Sequence, residues 1–264
     1  MRINYLSLFS GAGGGDLAFQ HLLKGFKCVG YVEYEEYCQK LIKQRIKDGL
    51  LDAAPIFGDI RKFISEGYAE TYQGMVDLVT GGFPCQPFSV AGKQAREDDP
   101  RNMWPATCEV IKTVKPKYAF LENVPGLLVS GYFGTILQQL SDIGYNAKWL
   151  LLGANDVGAL HQRQRIWFVV YANGIRFSCQ PELSAEQHPF FSSKIQNQNQ
   201  WENGEKSSRI RIKKHSITKT DKRIFKPDVL RVLDGVAHRV DRLKAIGNGQ
   251  VPQVAATAWE ILKP

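Results

Sequence analysis

Over about its first two-thirds the chain alternates short apolar runs with amphipathic stretches, and that alternation leaves few folds open. Residues 3–9 read as a strand and 15–24 as a helix; 27–33 read as a second strand, leading into a helix over 34–47. A short third strand is expected over 56–60, with further strands at 75–80 and 118–122 separated by a helix over 103–114. Residues 145–152 and 166–172 look like a closing pair joined by a loop. Such a pattern predicts an α/β fold with a doubly wound, mostly parallel sheet. Ligands should then gather at the carboxyl ends of the strands. A chain of 264 residues can bury one sizeable core and still carry a small second domain.

Several classes drop out early. There is no internal repeat and no apolar run long enough to span a membrane. The first residues, Met1-Arg2-Ile3-Asn4-Tyr5, start directly on a strand-like pattern and lack the layout of a signal peptide. Five scattered cysteines form no CxxC pair, and their odd number argues against a disulfide framework and for a reducing cytosolic setting. A net charge of +8 is compatible with a polyanionic partner, although charge alone is weak evidence.

The candidate residues fall at strand ends. After the first strand comes Phe9-Ser10-Gly11-Ala12-Gly13-Gly14-Gly15, a turn that can enter a helix N-terminus and leave room for a cofactor against the backbone. Such turns also serve simple strand–helix packing. Glu33 ends the second strand, where a carboxylate can accept from ribose hydroxyls; it could equally be a charge at the next helix N-terminus. Asp59 could accept from an adenine amino group or act as a plain N-cap. No GxxxxGK[ST] sequence is present, so a nucleoside-type cofactor suits the set better than a phosphate-gripping one.

The reactive candidates come next. Gly81-Gly82-Phe83-Pro84-Cys85-Gln86-Pro87 holds a cysteine between two prolines that fix φ and remove two backbone donors. A small buried hydrophobe has no need of so rigid a frame, whereas a nucleophile gains from being oriented in advance. Glu122, in Leu121-Glu122-Asn123-Val124, is a carboxylate in an apolar stretch; burial would raise its pKa and let it donate a proton near neutral pH. Arg163 and Arg165, two apart in Gln162-Arg163-Gln164-Arg165, would point the same way on an extended segment and could hold an anion or a base carbonyl. A solvated strand edge would also explain that pair.

Taken in order, these elements resemble the cytosine-5 DNA methyltransferase family, with residues 173–228 the unmatched stretch. The resemblance implies the S-adenosylmethionine-dependent methyltransferase type of sheet, with a catalytic domain over 1–172. A small target-recognition region would follow over 173–228, and a segment over 229–264 would return to the catalytic domain. The implied catalytic residues are Cys85, Glu122, Arg163 and Arg165. The implied S-adenosyl-L-methionine site comprises Phe9, Gly11, Gly13, Glu33, Tyr34, Asp59, Ile60, Gly82, Pro84 and Asn248, with no metal. Gly247-Asn248 and Val251-Pro252 resemble the family's last motif, from which Gly249-Gln250 departs.

By the same resemblance, Cys85 attacks C6 of a flipped-out cytosine while Glu122 protonates or hydrogen-bonds N3. Arg165 meets the ring carbonyl, with Arg163 supporting it. The implied partner is double-stranded DNA, met by a monomeric bacterial or phage-encoded chain in the cytoplasm, away from membranes, with room for a cognate restriction endonuclease acting separately. Residues 205–226 carry nine lysines and arginines against Glu205 and Asp221, which suits phosphate contacts but also a solvated insertion. Residues 89–102 lack apolar period and read as a loop able to close over DNA. An RNA-directed relative acting on tRNA and a non-catalytic DNA-binding protein remain as alternatives.

Overall fold

In a computed structural model, which describes residues 2–84, 101–175, 195–196, 211–212 and 249–263, the apolar runs form one sheet. Its strands are β1 (Ile3–Leu8), β2 (Phe26–Val32), β3 (Ile56–Phe57), β4 (Leu78–Gly82), β5 (Tyr118–Asn123), β6 (Tyr145–Leu152) and β7 (Arg165–Ala172). Their order is β3-β2-β1-β4-β5-β7-β6. The pairs among the first five are parallel, and β7 runs antiparallel to both β5 and β6. The chain therefore winds outward from β1 in both directions, which opens a crevice at the carboxyl ends of β1 and β4.

The helices are α1 (Gly14–Leu17), α2 (Glu36–Lys47), α3 (Ile60–Ser65), α4 (Tyr68–Thr71), α5 (Trp104–Val114), α6 (Gly126–Val129), α7 (Tyr132–Asp142) and α8 (Pro252–Leu262). Beyond α1 the chain widens into a π-helical turn over Ala18–Leu22. Residues 1–179 with 249–264 make one compact unit and residues 180–248 another. Within the second unit, β8 (Ile195–Gln196) pairs antiparallel with β9 (Arg211–Ile212).

Alternation along the strands sorts two apolar layers. Phe120 of β5 stacks on Trp167 at 5.3 Å and meets Trp259 of α8 edge-on at 5.6 Å. Phe19 and Phe26 close the same cluster around Trp259. On the opposite face, Leu121, Phe168 and Val170 pack with Val110, Ile111 and Val114 of α5 and Ile136 and Leu140 of α7. Glu122 follows Phe120 with period two, so it lies on the face that α1 and α8 cover.

Several sequence expectations shift. The strand expected over 75–80 starts at Leu78 and includes both glycines, because residues up to Val76 finish the turn after α4 (Val76 N–H to Tyr72 O, 3.2 Å). The third strand stops at Phe57, since the Asp59 side chain accepts from the Arg61 N–H at 2.9 Å and starts α3. Ile60 is therefore helical and 4% exposed, packed in the core, which leaves its backbone as the part able to meet a ligand. Asn102, expected at the end of a mobile loop, is buried; it donates to the Tyr132 hydroxyl at 2.7 Å and accepts from the Trp104 N–H at 3.1 Å. Cys85, Asn248 and most of residues 89–102 and 173–248 lie outside the described residues.

Candidate active site

The turn after β1 is tied to the end of β2. Phe9 has φ +50°, Gly11 +56° and Gly13 +74°, left-handed values that glycine adopts without strain. The Gly11 N–H donates to Glu33 Oε2 at 2.6 Å, and the Glu35 N–H to Glu33 Oε1 at 2.8 Å. Glu33 is thus a buried carboxylate that fixes the turn and the start of α2 together. Its place beside the α2 N-terminus suits the helix-charge reading as well, since one of its oxygens accepts from the Glu35 N–H. Tyr34 is 70% exposed beside it. Among the described residues, a Cβ on Gly11 would meet only the Phe9 carbonyl, at 4.0 Å, so none of them fills the space above Gly11. An aromatic ring, an open glycine turn and two carboxylates suit a nucleoside bearing hydroxyls and an amino group.

Gly14 and Gly15 have a different reason for lacking side chains. A Cβ on Gly14 would collide with the backbone carbonyl oxygen of Gln250, and one on Gly15 with Gln250 Oε1. The glycine run therefore serves two neighbours. Gly11 is left uncovered by the described residues, while Gly14 and Gly15 admit the segment that enters α8.

At the ends of β4 and β5, Gly82 pairs with Glu122 across the ladder. A Cβ on Gly82 would come within 2.7 Å of Glu122 Oε2 and 3.1 Å of Gln250 Nε2, so this glycine makes room for the carboxyl group. Phe83 is anchored against Trp104 at 5.4 Å and Phe168 at 6.2 Å. Its carbonyl accepts from Asn123 Nδ2 at 3.0 Å. Pro84 then emerges exposed, so the segment leading to Cys85 leaves from a rigid root.

Glu122 is 9% exposed. Arg165 Nε lies 2.7 Å from its Oε1, and the Gln250 side chain hydrogen-bonds it as well. Burial pushes its carboxyl above the usual range, while Arg165, Arg163 and the Gln250 amide pull it back. Burial and the neighbouring Arg165 together hold Arg163 below the ordinary guanidinium value. Arg163 donates to the Gly249 carbonyl at 2.6 Å. Glu122, Arg163, Arg165, Trp167, Gln250, Val251 and Val254 enclose a cavity of about 10 Å³, room for about one water.

The two arginines converge on Glu122, but not by the extended geometry expected of them. Arg163 has φ +35°, and only Arg165 belongs to β7. The structure thus brings together Glu122, Arg163, Arg165 and Gly82 on one side, and Phe9, Gly11, Gly13, Glu33 and Tyr34 on the other. Asp59 sits at the start of α3 as that helix's N-cap. Two positioning residues were missed from sequence: Asn123, which ties β5 to Phe83, and Gln250, which links the glycine run to Glu122. The first stood within a motif already singled out. The second was visible only as a departure from one.

The family model for C-5 cytosine-specific DNA methylase matches residues 3–254. The chain belongs to that family. Among methylase relatives, the type II methyltransferase M.NgoMIV of Neisseria gonorrhoeae is 37% identical over 192 residues, covering 71% of this chain and 58% of the relative. M.CviJI of Paramecium bursaria Chlorella virus IL3A is 33% identical over 184 residues, covering 69% and 46%. The chain thus spans about half the length of these methylases. The crystal structure of a Spodoptera frugiperda DNMT2 mutant shares the fold, with TM-score 0.53 and 20% identity over 69% of this chain and 54% of that one. Among the described residues no helix is long and apolar enough to cross a membrane.

Proposed function

We propose that this methylase is a sequence-specific DNA (cytosine-5)-methyltransferase using S-adenosyl-L-methionine, acting on double-stranded DNA through a covalent Cys85 adduct. The observation that carries the reading is the buried Glu122, held between Arg165 and Gln250 beside the rigid root of the Phe83-Pro84-Cys85 segment. A carboxyl group raised by burial yet braced by cations can hold or give a proton at a ring nitrogen.

Cytosine C5 is a poor nucleophile while the ring stays aromatic. The Cys85 thiolate adds to C6 and leaves the ring enamine-like at C5, with Glu122 donating to N3. Arg165 sits at the ring carbonyl and Arg163 braces the approach from the Gly249 side. S-adenosylmethionine, when bound at Phe9, Gly11, Gly13, Glu33, Tyr34, Asp59, Ile60, Gly82, Pro84 and Asn248, supplies the electrophilic methyl group. Loss of the C5 proton then re-forms the ring and expels Cys85. A free thiol has a pKa of about 8.5, so thiolate formation needs a coupled proton transfer or the help of an arginine. The target base is reached by flipping, because a stacked ring offers neither face. Residues 173–228 serve as the recognition region, with the lysines and arginines of 205–226 on phosphates.

The test is methyl transfer from labelled S-adenosylmethionine to duplex DNA or to total tRNA, with Cys85→Ala as control. Label at cytosine C5 of DNA that vanishes in the variant is expected. Labelled tRNA alone would move the substrate to RNA, and binding without transfer would remove the activity.

A further inference from the structure

Resting on the proposed function, we propose that Gln250 is the positioning residue of Glu122, inserted from the start of α8 between the glycine run and the catalytic carboxyl, and that Gly15 is side-chain-free to admit it. Three observations place it there. The Gln250 side chain hydrogen-bonds Glu122, and its Nε2 lies near Gly82, where a Cβ would stand 3.1 Å away. Its Oε1 occupies the space that a Cβ on Gly15 would need. Its neighbour Gly249 accepts from Arg163 at 2.6 Å, which fixes the backbone from which the side chain extends.

The chemistry follows from the direction of the bond. The amide N–H of Gln250 donates to Glu122, while Arg165 from β7 holds Oε1 at 2.7 Å. With Arg163 the third group facing it, Glu122 is gripped from both sides and its rotamer is set before a base arrives. A donor to a carboxylate also favours the ionised form. Gln250 therefore governs both where the proton of Glu122 points and how tightly it is held. The glycine run is linked mechanically to the protonating group, because the side chain that reaches Glu122 rests on Gly15.

The geometry separates two neighbouring glycines. At Gly14 an added Cβ meets the Gln250 backbone carbonyl, which cannot move without moving α8. At Gly15, among the described residues, it meets only the end of a flexible side chain, so Gly15→Ala displaces the amide and leaves the fold. Gly15 has no positive φ, and alanine is the better helix former.

The experiment compares the wild type with Gln250→Met, Gln250→Asn and Gly15→Ala, and with Gly15→Ala combined with Gln250→Met. Cofactor affinity is read by calorimetry, turnover at saturating DNA, and the Glu122 titration by carboxyl ¹³C NMR referenced to Glu122→Gln. Expected are a fall in kcat of about tenfold or more, from the worth of a hydrogen bond to a charged group, and little change in cofactor affinity. Glu122 should titrate at higher pH in all four variants. The Asn variant should fail like Met, being one methylene short. The combined variant should be no worse than the weaker single one, since both remove one contact. An unmoved Glu122 titration in Gln250→Met and Gly15→Ala would overturn the proposal whatever the rates do, as would additive losses in the combined variant. The NMR readout needs no turnover. A shifted titration in a protein that methylates no cytosine would sink the proposed function and leave this inference standing.

Discussion

Replacing Arg165 by Met tests whether the Glu122 ion pair is the main brace on that carboxyl group. The pair is close, 2.7 Å, and its side chains are only 22% and 11% exposed. At an effective dielectric of about 20 the attraction is about 6 kcal/mol, much of it offset by desolvation. Removing one partner of a buried pair costs about 3–5 kcal/mol, and the lower end applies because Arg163 remains beside Glu122. The cost must depend on pH. Burial raises Glu122 above its ordinary 4.5, so the folded state binds this proton more tightly than the unfolded one. The associated stability is full below about 4.5 and is lost as pH rises through the folded value. Without Arg165 that folded value climbs further, and the variant loses more on going from pH 5 to pH 8. For a unit of this size about 3 kcal/mol corresponds to a fall in Tm of about 6–12 °C at pH 8 and much less at pH 5. Glu122→Gln in the same background should restore most of the loss and flatten its pH dependence. Thermal unfolding of the wild type, Arg165→Met and the double variant at both pH values decides it. An equal fall at pH 5 and pH 8, with no recovery from Glu122→Gln, would refute the reasoning.

Three other perturbations have definite outcomes. Glu33→Gln weakens one of the two backbone bonds that shape the Gly11 turn; S-adenosylmethionine affinity by calorimetry should fall about tenfold, at 1.4 kcal/mol per decade, and an unchanged affinity would detach Glu33 from the cofactor. Trp259→Ala empties the centre of the cluster of Phe19, Phe26 and Phe120 and should cost about 3–5 kcal/mol in urea unfolding; a loss below about 1 kcal/mol would mean that α8 is not part of the core. Asp16 is buried, accepts from the Tyr5 hydroxyl at 3.1 Å, and is raised to about 6 by burial. Its contribution is therefore full below the ordinary 3.8 and is lost as pH rises through about 6. Asp16→Asn should remove the part of the stability change that falls in that window, and an unaltered pH profile of Tm would contradict this assignment.

The central strands were legible because β1, β4, β5 and β7 are buried along most of their length and read as mainly apolar runs. The ends were less so. Gly81 and Gly82 look like a strand terminator, yet both pair in the ladder, since the neighbours that press on them belong to β1 and β5. α7 went unread although Tyr132, Phe133, Ile136 and Leu140 follow helical spacing; its two glycines, Gly131 and Gly134, resemble loop punctuation. Glu122 and the arginines could be named from motif and chemistry. Their mutual geometry could not, because Arg163 takes a left-handed φ that only its surroundings explain. Gln250 was the least accessible of all. What it touches, Glu122 and Gly15, lies far away along the chain, and no local pattern encodes a contact of that range.

The position of α8 bears on the order in which the aromatic layer of the core closes. This helix packs on α1, the π-helical turn, β6 and β7, yet it is synthesised after all of them. A ribosome-bound chain that has emerged as far as residue 248 presents Phe19, Phe26 and Phe120 without Trp259 to cover them. Such a nascent chain also lacks the Gln250 contact on Glu122. Covering of the aromatic cluster and arrival of Gln250 at Glu122 thus coincide in one docking event. The segment that covers the aromatic face is also the one whose first residues bring the Gln250 side chain to Glu122.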